Sequence, residues 1–173
     1  MISIIAGKYK GHKLRDLKNL QIRPTQAKVR KSIFQILEPI KNLEVLDMYA
    51  GVGTLGIEAL SRGATKVVFV EKDHRVVRIL KKNLQLFDSA NCEIIFFDVI
   101  DYLNRINTPS FDLVFADPPY SEIKYENIRD RVAKILKPNG IFCMEMKKQN
   151  GDYSQCRVKY YGSTQVVFWK NSK

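Results

Sequence analysis

From residue 44 to residue 146 the chain alternates uninterrupted apolar runs with stretches of helical periodicity, and this alternation constrains the fold most. VLDMYA (45–50), KVVFVE (66–71), CEIIFF (92–97), FDLVFA (111–116) and GIFCMEM (140–146) read as strands buried on both faces. Between them, 54–61, 74–87, 99–105 and about 125–136 read as helices, with Val76, Leu80, Leu84 and Phe87 in one stripe. Strands separated by helices pair in parallel through crossovers, with helices covering both faces of the sheet. Two further extended runs, 154–161 and 164–170, meet at Gly162 and predict an antiparallel hairpin at one side. The expected fold class is α/β, a mostly parallel seven-stranded sheet with an antiparallel C-terminal hairpin.

The first 43 residues follow another pattern. Runs 2–6 and 12–15 around Gly7 and Gly11 predict a small β-hairpin. Thr25 is a plausible N-cap for a helix through Leu37, with Val29, Ile33, Ile36 and Leu37 inward and Lys28, Arg30 and Lys31 outward. The chain therefore divides into a basic extension, 1–43, and a main domain, 44–173. Residues 1–43 hold ten Lys/Arg and two acids, +8 of a net charge of +11, against +3 for the other 130 residues. A basic segment on a near-neutral body points to a polyanionic partner. No apolar run has membrane-spanning length, and no signal-peptide pattern opens the sequence. Cys92, Cys143 and Cys156 are odd in number and lack metal-site spacing, so a cytoplasmic chain without a metal site is expected.

The strand at 45–50 runs into D-M-Y-A-G-V-G-T-L-G, residues 47–56. Gly51, Gly53 and Gly56 alone form only a general nucleotide-binding pattern. Asp47 narrows it, because a carboxylate there repels a pyrophosphate but attracts the ammonium and sulfonium of S-adenosylmethionine. Glu71 ends the next strand, where a carboxylate can accept both hydrogen bonds of a ribose diol. Asp98 ends the third, where it can cap the following helix and accept from an adenine amine.

Asp117-Pro118-Pro119-Tyr120 follows the fourth strand. Two prolines make a stiff backbone that offers carbonyls and no N–H. Asp117 and the Pro118 carbonyl can each accept one N–H of a planar exocyclic amine, turning its lone pair toward an electrophile. Tyr120 can stack on the base.

These residues resemble S-adenosylmethionine-dependent amino-methyltransferases of Rossmann-like fold, and more closely the RsmD family of bacterial 16S rRNA guanine-N2 methyltransferases. The resemblance rests on I-I-A-G-K-Y-K-G-H-K-L (4–14), R-P-T-x-x-x-V-R (23–30), the run 47–64, E-K-D (71–73), D-P-P-Y (117–120) and Y-G-S-T (161–164). It implies a cofactor site of Asp47, Gly51, Gly53, Glu71 and Asp98, and catalysis by Asp117, Pro118 and Tyr120. It implies RNA contacts through the N-terminal segment, at Lys8, Lys10, Arg23, Thr25 and Arg30. The expected partner is small-subunit ribosomal RNA in an assembling subunit, bound by a monomer. Three rivals stay open: methylation of adenine N6 or cytosine N4, a nicotinamide oxidoreductase, and a non-catalytic RNA-binding module.

Overall fold

The computed structural model describes residues 2–16, 27–119 and 125–172. A two-stranded ribbon, β1 (Ile2–Ser3) with β2 (Lys13–Leu14), precedes helix α1 (Ala27–Leu37). Then come β3 (Glu44–Met48), α2 (Thr54–Ser61), β4 (Lys66–Glu71), α3 (His74–Leu84), β5 (Cys92–Phe96) and α4 (Val99–Arg105). β6 (Phe111–Ala116), α5 (Tyr125–Val132), β7 (Leu136–Lys147), β8 (Cys156–Tyr161) and β9 (Thr164–Lys170) complete the chain. The main sheet has the order β5-β4-β3-β6-β7-β9-β8, and only the β9 pairings are antiparallel. Strand order reverses between β3 and β6, which leaves a crevice beyond their carboxyl ends, where such sheets bind ligands. Among the described residues no helix is long and apolar enough to cross a membrane.

The apolar runs divide by alternate residues. Val45, Val67 and Phe69 face Ile57, Ala59, Leu80 and Leu84 of α2 and α3. Leu46, Met48, Val68 and Val70 face Val99, Leu103 and Ile128 of α4 and α5. The helix expected over 125–136 stops at Val132, and β7 starts at Leu136, four residues before the expected strand. Phe111 pairs with Leu136 but Leu113 with Ile141, so β7 bulges around Pro138 and Asn139, the latter at φ 63°.

The N-terminal ribbon is shorter than the runs 2–6 and 12–15 suggest, and the reason is a carboxylate. Ile5 and Ala6 donate their N–H groups to Glu58 of α2, at 2.8 and 3.0 Å, instead of to a strand partner. Gly7 then turns at φ 83° against the end of α2, where a Cβ would lie 1.9 Å from the Ser61 carbonyl oxygen. Glu58 has no solvent exposure; it accepts from Arg62 Nε at 2.9 Å and faces Arg30 Nε at 3.9 Å. Arg30 in turn donates to the Ser3 carbonyl at 2.7 Å.

Arg30 thus corrects an expectation. Placed outward and toward RNA by its charge, it is 2% exposed and held inside the fold. It lies on the helical face of Ile33, Phe34 and Leu37, and burial lowers its pKa even though Glu58 opposes the shift.

Replacing Glu58 with Ala removes the buried carboxylate that faces Arg30 and pairs with Arg62. Breaking such a pair costs about 3–5 kcal/mol. Urea unfolding of Glu58→Ala is expected to show that loss, whereas a change below about 1 kcal/mol would mean that Glu58 does not hold the N-terminal arm.

Candidate active site

The carboxyl edge of the sheet gathers the loop after β3, the ends of β4 and β5, and the segment after β6. The loop runs through left-handed backbone at Tyr49 (φ 57°), Gly51 (φ 57°) and Gly53 (φ 89°). At Gly53 a side chain is excluded, since a Cβ would sit 2.5 Å from Leu80 Cδ1. At Gly51, among the described residues, the only neighbour of a notional Cβ is the Tyr49 carbonyl oxygen, at 3.9 Å, which leaves the loop backbone open to a ligand on that side.

Three side chains hold this loop. Asp47 is 2% exposed, and its Oδ2 accepts the Gly56 N–H at 2.8 Å, fixing the first turn of α2 on β3. Glu71 accepts three backbone N–H groups: Gly51 at 3.0 Å, Lys72 at 2.8 Å and Asp73 at 2.9 Å. A carboxylate has about four acceptor positions, so Glu71 keeps one for a further donor such as a ribose hydroxyl. Asn83 of α3, fully buried, donates to the Val52 carbonyl at 2.9 Å and bonds both backbone groups of Arg15, at 2.8 and 3.1 Å. The sequence reading missed Asn83; its signal is an amide on the apolar face of α3, three residues after Leu80.

Asp98 caps α4 through the Ile100 N–H at 2.9 Å and accepts from Lys72 Nζ at 3.1 Å. Burial acts against its ionisation, yet Lys72 and the helix N–H groups prevail and hold the carboxyl below its ordinary value. Tyr49 was also missed. Its hydroxyl is buried and finds no hydrogen-bond partner among the described residues, and burial followed by the Asp98 charge raises its pKa.

Ala116 pairs with Met48 on one side and Met144 on the other, so Asp117 leaves the sheet at the same edge as the glycine loop. Asp117 is half-buried, Pro118 buried and Pro119 exposed. Burial, then the charges of Glu145 and Asp117, push the Cys143 thiol pKa far up, which leaves that cysteine without nucleophilic character. Tyr120, Arg23 and Thr25 lie outside the described residues. Lys8 and Lys10 are exposed but do not join this edge. Lys8 N–H bonds the carbonyl of Ser61, and α2 runs from the glycine loop at one edge to Ser61 at the other. The tip of the N-terminal arm therefore sits at the amino edge of the sheet.

Burial pushes the Asp47 carboxyl up to about 8, with the Gly56 N–H opposing the shift and the Glu71 charge adding to it. Between about pH 4 and 8 the folded chain then holds a proton that the unfolded chain has released, so this group removes stability as pH rises. Asp47→Asn keeps the acceptor for Gly56 and is expected to melt higher than the parent without ligand, by about 2–4 °C per kcal/mol relieved. The gain should be larger at pH 8 than at pH 5; equal gains would show an ordinary, ionised carboxylate.

The family model described as conserved hypothetical protein 95 matches residues 2–170. Ribosomal RNA small subunit methyltransferase D of Haemophilus influenzae is 40% identical over 157 residues, 85% of this chain and 79% of its own length. The protein of the same name from Escherichia coli K12 is 32% identical, covering 87% of this chain and 77% of its own. A solved Escherichia coli structure, YhhF, superposes with a TM-score of 0.87 at 29% identity, covering 98% of this chain and 97% of its own. By the family model and by these relatives together, the chain belongs to the conserved hypothetical protein 95 family, that of the ribosomal RNA small subunit methyltransferase D (RsmD) proteins.

Proposed function

We propose that this chain transfers the methyl group of S-adenosylmethionine to the exocyclic N2 amine of a guanine in small-subunit ribosomal RNA. The observation that carries the reading is Asp117-Pro118 leaving β6 beside the glycine loop, at the carboxyl edge of the sheet. The names of the relatives support ribosomal RNA as the substrate class. The acidic lining suits a cationic cofactor better than a dinucleotide, whose pyrophosphate Glu71 would repel.

The residues present fit the cofactor. Gly51 and Gly53 let it approach the backbone, and Asp47 lies beneath with its carboxylate toward that loop. Glu71 would accept from one hydroxyl of the ribose diol and Asp98 from the adenine amine, with the Tyr49 hydroxyl, which has no partner among the described residues, near Asp98. S-adenosylmethionine supplies an electrophilic methyl on a sulfonium whose sulfur keeps the electron pair of the broken bond. Asp117 and the Pro118 carbonyl accept the two N–H bonds of the amine, so its lone pair leaves conjugation with the ring and points at that methyl. As the new N–C bond forms, positive charge grows on nitrogen beside Asp117, which stabilises it. The acidified nitrogen then loses a proton to Asp117 or to water. An unpaired or flipped guanine reaches this edge, with Tyr120 stacking on it.

In this reading residues 44–173 form the methyltransferase domain and 1–43 an extension that packs on it. The chain acts in the cytoplasm as a monomer on an assembling small subunit.

The test is labelled methyl transfer to undermethylated small subunits, their naked RNA and duplex DNA, with products digested to nucleosides. N2-methylguanosine is the expected product; methylated adenine or cytosine would overturn the guanine assignment. Asp117→Ala should cut turnover at least about 100-fold while S-adenosylhomocysteine binding changes little. Near-normal turnover by folded Asp117→Ala would remove the proposed role.

A further inference from the structure

The basic residues are arranged differently in space than along the chain. Residues 44–146 hold thirteen Lys/Arg and fifteen Asp/Glu, while residues 147–173 hold six Lys/Arg and one Asp. The C-terminal hairpin is therefore a second basic segment. The register shows where its exposed charges lie. Ala116 pairs with Met144, and Met144 with Val167, whose partner on β8 is Val158. One residue further toward the carboxyl edge, Asp117, Glu145, Val166 and Lys159 share a level, and Tyr160 lies one residue beyond. Three strand spacings separate β6 from β8, about 14 Å at 4.8 Å each. That is the rise of about four stacked nucleotides.

Tyr160 is 58% exposed, one of three exposed large hydrophobic side chains among the described residues. Lys148 Nζ stands 5.3 Å from its ring centroid. The first basic segment reaches the same carboxyl edge from the other face of the hairpin. α1 leads at its far end into β3 at the amino edge, so its first turns, with exposed Lys28 and Lys31, lie toward the carboxyl edge. Tyr161 of β8 hydrogen-bonds Ser32 of α1, so Tyr161 and Lys159 lie on the α1 face of the hairpin, while Tyr160 and Lys148 lie on the α5 face. Lys8 and Lys10, in contrast, sit at the opposite edge with the end of α2.

We propose that the carboxyl-edge corner formed by α1 and the β8–β9 hairpin is the track for single-stranded RNA flanking the target base. Tyr160 offers a stacking face to one unpaired base with Lys148 contacting a phosphate beside it, and the strand then crosses the carboxyl edge of the hairpin to Lys159, Lys28 and Lys31 on the α1 face. An aromatic face among basic side chains is the chemistry that holds single strands without reading their sequence. The inference deepens the proposed function by naming where its substrate lies.

The test uses the full-length protein, a fluorescein-labelled single-stranded 20-nucleotide RNA, and titrations from 50 to 200 mM salt. All substitutions are on exposed side chains, and thermal melting checks that each variant folds. Tyr160→Ala should weaken binding about 5- to 150-fold, with Tyr160→Phe close to the parent. Lys148→Ala/Lys159→Ala should flatten the salt slope by about 1.4, since each single-strand phosphate contact contributes about 0.7. Lys41→Ala/Lys66→Ala at the amino edge should leave the slope unchanged. Affinities of the Tyr160→Ala and Lys148→Ala/Lys159→Ala variants within twofold of the parent, with unaltered slopes, would overturn the track. Methyl transfer by the parent protein to undermethylated small subunits is measured in parallel. Transfer without any binding defect in the variants overturns the track alone. Absence of transfer overturns the proposed function, and the binding data still decide the track.

Discussion

One hydrogen bond, from the Gly56 N–H to the buried Asp47 carboxylate, sets the starting point of α2 on the first central strand. Its geometry leaves so little space that a Cβ at Gly56 would fall 2.3 Å from the Phe69 ring. With the strand end and the helix start both fixed, the intervening residues must close a tight arc, and left-handed backbone at Tyr49, Gly51 and Gly53 closes it. Glu71 and Asn83 then tie the arc to β4 and α3. The loop is thus a rigid element tied to a strand and a helix rather than a mobile flap. A ligand that approaches it finds donors and acceptors already oriented, with little ordering entropy left to lose.

The distribution of charge follows from the same architecture. In a chain of net charge +11, the carboxyl edge collects Asp47, Glu71, Asp98, Asp117 and Glu145 at the ends of five adjacent strands. Basic residues on α1 and the C-terminal hairpin flank them. A crevice of acids with a basic flank is attractive to a small cation inside and to a polyanion outside. One surface can therefore hold two reactants of opposite charge, with the site of reaction at the boundary between the two fields.

Much of this was legible in the sequence, because continuous apolar runs and helical stripes are local signals. The parallel pairing of the strands followed from alternation, and Asp117 was found because D-P-P-Y follows the fourth strand, downstream of the glycine loop at the first. The failures were non-local. Ile5 and Ala6 look like strand residues, and only the fold reveals that a carboxylate 53 and 52 residues away takes their N–H groups. Arg30 was read by its charge, although its spacing to Ile33, Phe34 and Leu37 already placed it on the buried face. The bulge at Pro138 and Asn139 depends on the β6 register, which no run of residues encodes. Asp47 was expected to serve a ligand; its bond to a backbone group nine positions on is invisible to spacing alone.

The N-terminal arm is bound to the body by polar groups that water cannot reach. Glu58 takes two of its N–H groups, Ser61 accepts from Tyr9 and donates to Ala6, and Asn83 clasps Arg15 on both sides. Removing the arm would uncover a carboxylate and an amide set in apolar helices, and would strip an acceptor from Asn83, which also steadies the glycine loop. In evolutionary terms the arm is no detachable module. A lineage that exchanged it for another recognition element would have to rewrite α2 and α3 at the same time, so arm and catalytic body are expected to diverge as a single heritable unit.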